Sequence, residues 1–397
     1  MPIYDHEWAG LKQFEPRFAE GDGILYVADR ARVQREMNIR GQLNRHAPFS
    51  PGLSMGFPDA GGALIDSFFG YAYSGIPAEG SAVYGPTETL LPGPLDRLVD
   101  PTLGFLRVPF KRIPRLRARS VVDLEEVIKF AEDFYGRDRI LFRGQTQEYY
   151  LNRSPEFCRR FYGEDTIREP SLISSAVRRP PSIRTCMPEF MMWLQLWQQT
   201  ALRSLRSRYE GVRVAMYDKL AAEAAVIWGQ PRFYFQALAI AQHYGLPSVG
   251  LDVSSDLMVA LFFATRESIS SGNQKMRFMP LAAPRMPVIY LILREGSREY
   301  AFEDSAPSVL LSGRAAKQKA WFFHLGWGLS VNAAADQILA AVYLDLPLDG
   351  SDIPQATELF PPADEDSLGS FLGSIGNSGS KALRTVLSSL YWVDGPL

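Results

Sequence analysis

Ile140-Leu141-Phe142-Arg143-Gly144-Gln145 is the stretch from which the chain becomes legible. β-forming residues lead into an aromatic, an arginine and a glycine, and the run stops at the polar cluster Gln145-Thr146-Gln147-Glu148. This predicts a short strand delivering one arginine to its end, with Gly144 letting a second backbone or a ligand approach closely. A half-buried arginine needs a planar anionic partner, because its guanidinium keeps its proton and offers donors in a fixed fork. That partner is an internal carboxylate or a bound phosphate, and both readings stand.

Just upstream, Ser120 or Asp123 caps a helix through Leu124-Glu125-Glu126-Val127-Ile128-Lys129-Phe130-Ala131, whose apolar residues recur at helical spacing. It ends at Tyr135-Gly136. Downstream, an insertion between Pro155 and Pro170 holds Cys158, and Met187 to about Ile227 has helical periodicity with Trp193 and Trp197 as core. A helix from Phe235 closes at Gly245, which places His243 at its C-terminus. Leu246 to Asp252 is extended and ends in an acid. Ser254 or Ser255 then caps an almost wholly apolar helix, Asp256 to Thr265, which must be buried on most sides. Pro287–Leu293 and Ile338–Leu346 read as strands, Arg294–Ala306 as a polar loop, and Arg314–His324 as a loop feeding a strand.

The ends are less regular. Trp8–Phe18 suggests a short helix and Ile24–Val27 a strand, whereas Ala47–Pro94 is rich in glycine, proline, serine and aromatics. Residues 1–119 are therefore an ordered, loop-rich extension packed on a main domain at 120–370, with a helical tail at 371–397. A basic patch, Arg107, Lys111, Arg112, Arg115, Arg117 and Arg119, closes the extension. It is a solvated linker or, alternatively, a phosphate or nucleic-acid contact.

Bulk numbers narrow the classes. The chain has 397 residues, 46% hydrophobic and 22% charged, enough for a real core. Its 42 basic and 44 acidic residues give no global drive toward nucleic acid or an anionic membrane. No apolar run approaches the ~18 to 20 residues that span a bilayer, and the N-terminus does not read as a secretory signal, so the cytoplasm is the default compartment. With 2 cysteines and 4 scattered histidines, neither a disulfide framework nor a metal site is expected. Phosphate-loop and nucleophile-elbow motifs are absent from the sequence.

Taken in order, these stretches resemble the bacterial FRG domain. Phe142-Arg143-Gly144-Gln145 matches the motif that names it, and Pro170-Ser171-Leu172 a following element. Ala241-Gln242-His243-Tyr244-Gly245-Leu246-Pro247 with Leu251-Asp252 matches the central signature, and Ala260-Leu261-Phe262-Phe263-Ala264 the helix after it. Arg314, Gln318 and Phe322 fall on an Arg…Gln…Phe pattern, and Leu359-Phe360-Pro361 on the closing element. The usual Thr-Arg-Leu-Leu-Asp-Trp-Thr continuation is here Ser248-Val249-Gly250-Leu251-Asp252-Val253-Ser254, which lacks the arginine and the tryptophan.

The aromatic-Arg-Gly strand is also similar to that of mono-ADP-ribosyltransferases. That resemblance implies an α+β fold with a mixed central sheet flanked by helices, and NAD as the ligand. It places Arg143, Gly144 and Gln145 at the cofactor phosphates and Ser248 on the nicotinamide side. Gln318 takes the place of the family's glutamate, with Asp252 and His243 in the same cleft. A neutral glutamine keeps that glutamate's hydrogen bonds and loses its charge, which Asp252 or Glu267 could supply. Three expectations follow. The chain is an NAD-handling transferase or glycohydrolase, as in a toxin or anti-phage effector; it is a nucleotide- or nucleic-acid-binding module using the same cleft; or Arg143 and Asp252 form a core ion pair.

Overall fold

The computed structural model describes residues 98–175, 242–245, 250–272, 275–282, 285–294, 299–301, 313–324, 331–349, 353–362, 365–366 and 392–393. From the N-terminal part it describes 15–16, 22, 24–27, 63–66, 68–69, 71–74, 77–85 and 88–89.

The chain is α+β. Short strands β1 (Glu15–Pro16), β2 (Ile24–Val27), β3 (Ala63–Asp66) and β4 (Ala72–Ser74) form a small antiparallel sheet. The main elements are β5 (Glu88–Thr89), β6 (Phe105–Val108), β7 (Lys111–Ser120), α1 (Val121–Tyr135), β8 (Ile140–Gln145) and α2 (Pro155–Tyr162). After them come β9 (Gly250–Ser254), α3 (Leu257–Thr265), β10 (Arg266–Gly272), β11 (Lys275–Pro280), β12 (Val288–Leu293) and β13 (Glu299–Ala301). The chain continues with α4 (Arg314–Lys317), β14 (Ala320–His324), β15 (Ile338–Asp349), α5 (Ala356–Leu359) and β16 (Trp392–Val393).

A mixed 9-stranded sheet in the order β13-β14-β9-β8-β12-β15-β7-β5, with β6 on β7, is the frame. β15 and β5 run parallel to β7, and the other pairings are antiparallel. β12, Val-Ile-Tyr-Leu-Ile-Leu, lies between β8 and β15 and is buried on both faces, so it reads as an unbroken apolar run rather than an alternating one.

One face is covered by α1 and α3. Leu124, Val127, Ile128 and Ala131 of α1 and Ala260, Leu261 and Ala264 of α3 pack with Phe142, Ile289 and Leu291. The other face is aromatic. Tyr84 and Phe69 of the N-terminal segment join Phe157, Phe161 and Tyr162 of α2 against Leu141, Tyr290 and Tyr343. The N-terminal segment therefore completes the core.

Several expectations are corrected in detail. Arg107–Arg119 is no linker: it falls in β6 and β7, and β7 pairs with β15 inside the main sheet. Within the Trp8–Phe18 stretch, Glu15–Pro16 is a strand, and β13 lies in the stretch read as a polar loop. Ser120 and Asp123 do cap α1 reciprocally, Ser120 Oγ accepting from the Asp123 amide at 3.2 Å. The cap of α3 is Asp256, whose carboxylate accepts from the Met258 amide at 2.8 Å. The Met187–Ile227 helix lies outside the described residues, as does the helical tail apart from β16, which pairs with β11.

Candidate functional site

β8 and β9 are neighbours in the sheet, yet among the described residues they are in register only at Phe142 and Ser254. Beyond that point the strands part. A cleft of about 530 Å³ opens there, lined from β8 by Phe142, Arg143, Gly144 and Gln145 and from β9 by Asp252, Val253 and Ser254. Its other walls include Gln242 and His243, Val259, Ala260 and Phe263 of α3, and Ser268, Met276 and Phe278 of the β10–β11 hairpin.

Arg143 sits in the gap. Its Nη1 donates to the backbone carbonyl of Asp252 at 2.5 Å, so a side chain supplies a donor where β8 and β9 have separated. Gly144, on the opposite side of the strand, faces α3, and a Cβ there would overlap the carbonyl of Ala260. Close approach at this glycine is thus made by a helix backbone, one of the two partners that the sequence allowed.

His243, only 5% exposed, is held from two sides. Nδ1 lies 3.2 Å from Gln318 Oε1, and Nε2 lies 3.6 Å from Asp252 Oδ1. Oδ1 is buried without a hydrogen bond, while the Asp252 side chain as a whole keeps 32% of its exposure. The carboxylate thus borders both His243 and the cleft.

Gln318 is 5% exposed, and its Nε2 donates to the Leu359 carbonyl at 3.2 Å. Both ends of its amide are therefore held by protein groups. Arg314, one helical turn earlier, donates through Nη1 to the His243 carbonyl at 3.2 Å, pairs with Asp366 at 3.3 Å and lies over the Tyr244 ring. Tyr244 Oη donates to Asp366 at 2.6 Å. Phe322 fills the space of the side chain that Gly250 lacks. The Arg…Gln…Phe spacing thus has a physical meaning: its three residues hold the His243 backbone, the His243 ring and the start of β9.

Of the candidate residues, Arg143, Gly144, Gln145, His243, Asp252 and Gln318 line one cleft. Ser248 lies outside the described residues. Glu267, the alternative source of negative charge, pairs with Arg285 at 2.8 Å. Sequence reasoning missed Ser254, whose Oγ donates to the Gln318 carbonyl at 2.9 Å and accepts from the Asp256 amide. A serine at a helix start reads as a cap, and nothing in its spacing announces a bond to a residue so far along the chain.

The basic patch is spread over several environments. Arg115 is buried and pairs with Glu148 at 2.6 Å while donating to Tyr343 Oη at 2.7 Å. Burial holds the Glu148 carboxyl above its ordinary range, against the opposing pull of Tyr343 and Arg115. Arg107 pairs with Glu164, Lys111 with Asp336, and Arg117 with Asp100 and Asp345. Arg119 is 81% exposed beside Asp345.

Among the described residues, no group of three or more His, Cys, Asp or Glu is placed to hold a metal. No described helix is long and apolar enough to cross a membrane. No curated protein and no solved structure matches the chain. Its family match is to the model of the FRG domain over residues 138–273, which takes in Arg143, His243 and Asp252; the chain carries an FRG domain there.

Proposed function

We propose that the cleft binds a nicotinamide dinucleotide and uses an ADP-ribosyltransferase-like arrangement in which Asp252, not Gln318, supplies the carboxylate. The observation behind this reading is that Arg143 and Asp252 line the same cleft where β8 and β9 part, the guanidinium held by the Asp252 backbone carbonyl and the Asp252 carboxylate left to border the cleft. A guanidinium fork suits a pyrophosphate, and a carboxylate beside it suits a ribose that becomes positive. In the reaction, the bond from ribose C1′ to the nicotinamide nitrogen breaks and its electron pair leaves with nicotinamide. A nucleophile bonds to C1′ and releases a proton. Water as nucleophile gives a glycohydrolase, and a macromolecular acceptor gives a transferase. Consumption of cellular NAD is the link from this chemistry to a toxin or anti-phage role.

The alternative is a nucleotide-binding module without turnover, favoured by a specific observation: Gln318, at the glutamate's place, is closed off by His243 and Leu359.

Thermal melting of wild type, Arg143→Ala and Arg143→Lys with millimolar NAD tests the reading. Ligand at about 100 times its Kd adds about 2.7 kcal/mol to the folded state. The wild-type midpoint should rise by several degrees, and the folded arginine variants should lose that rise. A shift without nicotinamide release supports the binding module. An unchanged wild-type midpoint sinks the dinucleotide reading.

A further inference from the structure

We infer that His243 and Asp252 form a proton-transfer pair whose working nitrogen is His243 Nε2, and that Gln318 is the positioning residue that selects it. The inference deepens the proposed function and rests on it for the identity of the proton donor, the nucleophile that attacks C1′.

The Leu359 carbonyl can only accept, so the Gln318 atom facing it at 3.2 Å is the amide nitrogen. The Gln318 oxygen therefore faces His243 Nδ1, also at 3.2 Å. An amide oxygen only accepts as well, so Nδ1 carries the hydrogen. In the neutral ring, the lone pair is then left on Nε2, which faces Asp252.

The charged groups around the ring agree with this assignment. Asp252 on β9 is the acid nearest Nε2, at 3.6 Å, and its Oδ1 has no hydrogen bond. Arg314 on α4 approaches the His243 backbone carbonyl rather than the ring and is paired with Asp366. Arg143 on β8 engages the Asp252 carbonyl. A bare Nε2 and a carboxylate repel at contact distance, and the 3.6 Å separation is longer than a hydrogen bond. Once Nε2 takes a proton, the same pair becomes mutually attractive. The nucleophile's hydrogen moves to Nε2 as its oxygen or nitrogen bonds to C1′, and the Asp252 carboxylate holds the imidazolium that results.

The tautomer can be read directly in the full-length protein by nitrogen NMR of the imidazole rings. His243 is assigned by the signal lost in His243→Asn, and spectra are taken about two units above the ordinary histidine value of about 6.5. Wild type should show a protonated Nδ1 and a bare Nε2. Gln318→Met removes the acceptor at similar volume and should switch the ring to protonated Nε2, which then donates to Asp252. Gln318→Glu keeps an acceptor and should preserve the wild-type tautomer.

With NAD, Gln318→Met should keep the melting shift and lose at least tenfold in nicotinamide release, a part of the about 10²- to 10⁴-fold that acid–base groups contribute. A wild-type ring protonated on Nε2, or a folded Gln318→Met with an unswitched tautomer, overturns the inference whatever NAD does. The expected tautomers with no response to NAD leave the pair standing and remove the dinucleotide reading instead.

Discussion

The guanidinium of Arg143 donates to the backbone carbonyl of Asp252 while the carboxylate of the same residue borders His243. Two functions that the sequence could not separate, closing the sheet and lining a cleft, thus meet on one pair of residues.

This geometry sets the energetic signature of Arg143. Removing the side chain leaves one half-buried carbonyl without its donor, a loss of about 1–3 kcal/mol at most. A buried arginine–carboxylate pair broken on one side would cost more, about 3–5 kcal/mol. Arg143→Ala should therefore lower urea stability by the smaller amount, and Arg143→Lys, which keeps a donor, by less. Asp252→Asn should be nearly neutral to stability, since the hydrogen bond uses its backbone. If Asp252→Asn and Arg143→Ala are equally and severely destabilised, the two side chains form the core ion pair after all.

Gly144 carries a sharper expectation. A Cβ there meets the carbonyl of Ala260 and the amide of Ala264, both backbone atoms of α3 that cannot rotate away. Either α3 withdraws from β8 or the strand shifts. Overpacking usually costs about 1–3 kcal/mol, and a clash with rigid backbone belongs at or beyond the upper end of that range. Gly144→Ala should lose about 3 kcal/mol or more in denaturant titration and should reshape the cleft, because Ala260 is one of its walls. A well-folded variant of wild-type stability would show that α3 sits farther from β8 than it does here.

Much of this frame was legible because local rules and tertiary placement agree. The arginine strand, the helix capped by Ser120 and Asp123, and the apolar strand at Val288 each follow from pattern alone. β7 was not legible. Its residues Lys-Arg-Ile-Pro-Arg-Leu-Arg-Ala-Arg-Ser look like a solvated stretch, and only the acids brought from elsewhere, Glu148, Asp100 and Asp345, explain so many arginines in a strand. At the site, the pattern Arg314…Gln318…Phe322 was visible as spacing. Its target was not, because His243 is 75 residues from Gln318 in sequence. Gln318 read as a substitute for a glutamate; in the structure its amide faces Leu359 and His243, contacts that its place in the sequence did not announce.

The arginine that anchors the N-terminal segment offers the last test. Arg153 is buried between Asp66, at 2.8 Å, and Glu169, at 2.7 Å, with the Phe157 ring 4.1 Å from its guanidinium carbon. Arg153→Met keeps much of the apolar contact and strands two buried acids, which should cost about 3–5 kcal/mol. The loss should depend on pH. Burial holds the Glu169 carboxyl above its ordinary range even with Arg153 present, and removing the cation raises it further. A carboxyl raised in the folded state binds protons that the unfolded chain releases, so stability falls as pH climbs above the unfolded value of about 4.3. The deficit of Arg153→Met should accordingly be largest near neutrality and shrink toward pH 4 to 5, as protonation removes the uncompensated charge. Urea titrations of wild type and variant across that range measure it directly. A deficit that stays constant with pH would mean that water or another cation reaches Asp66 and Glu169, and that the N-terminal segment is held by its aromatic contacts rather than by this buried pairing.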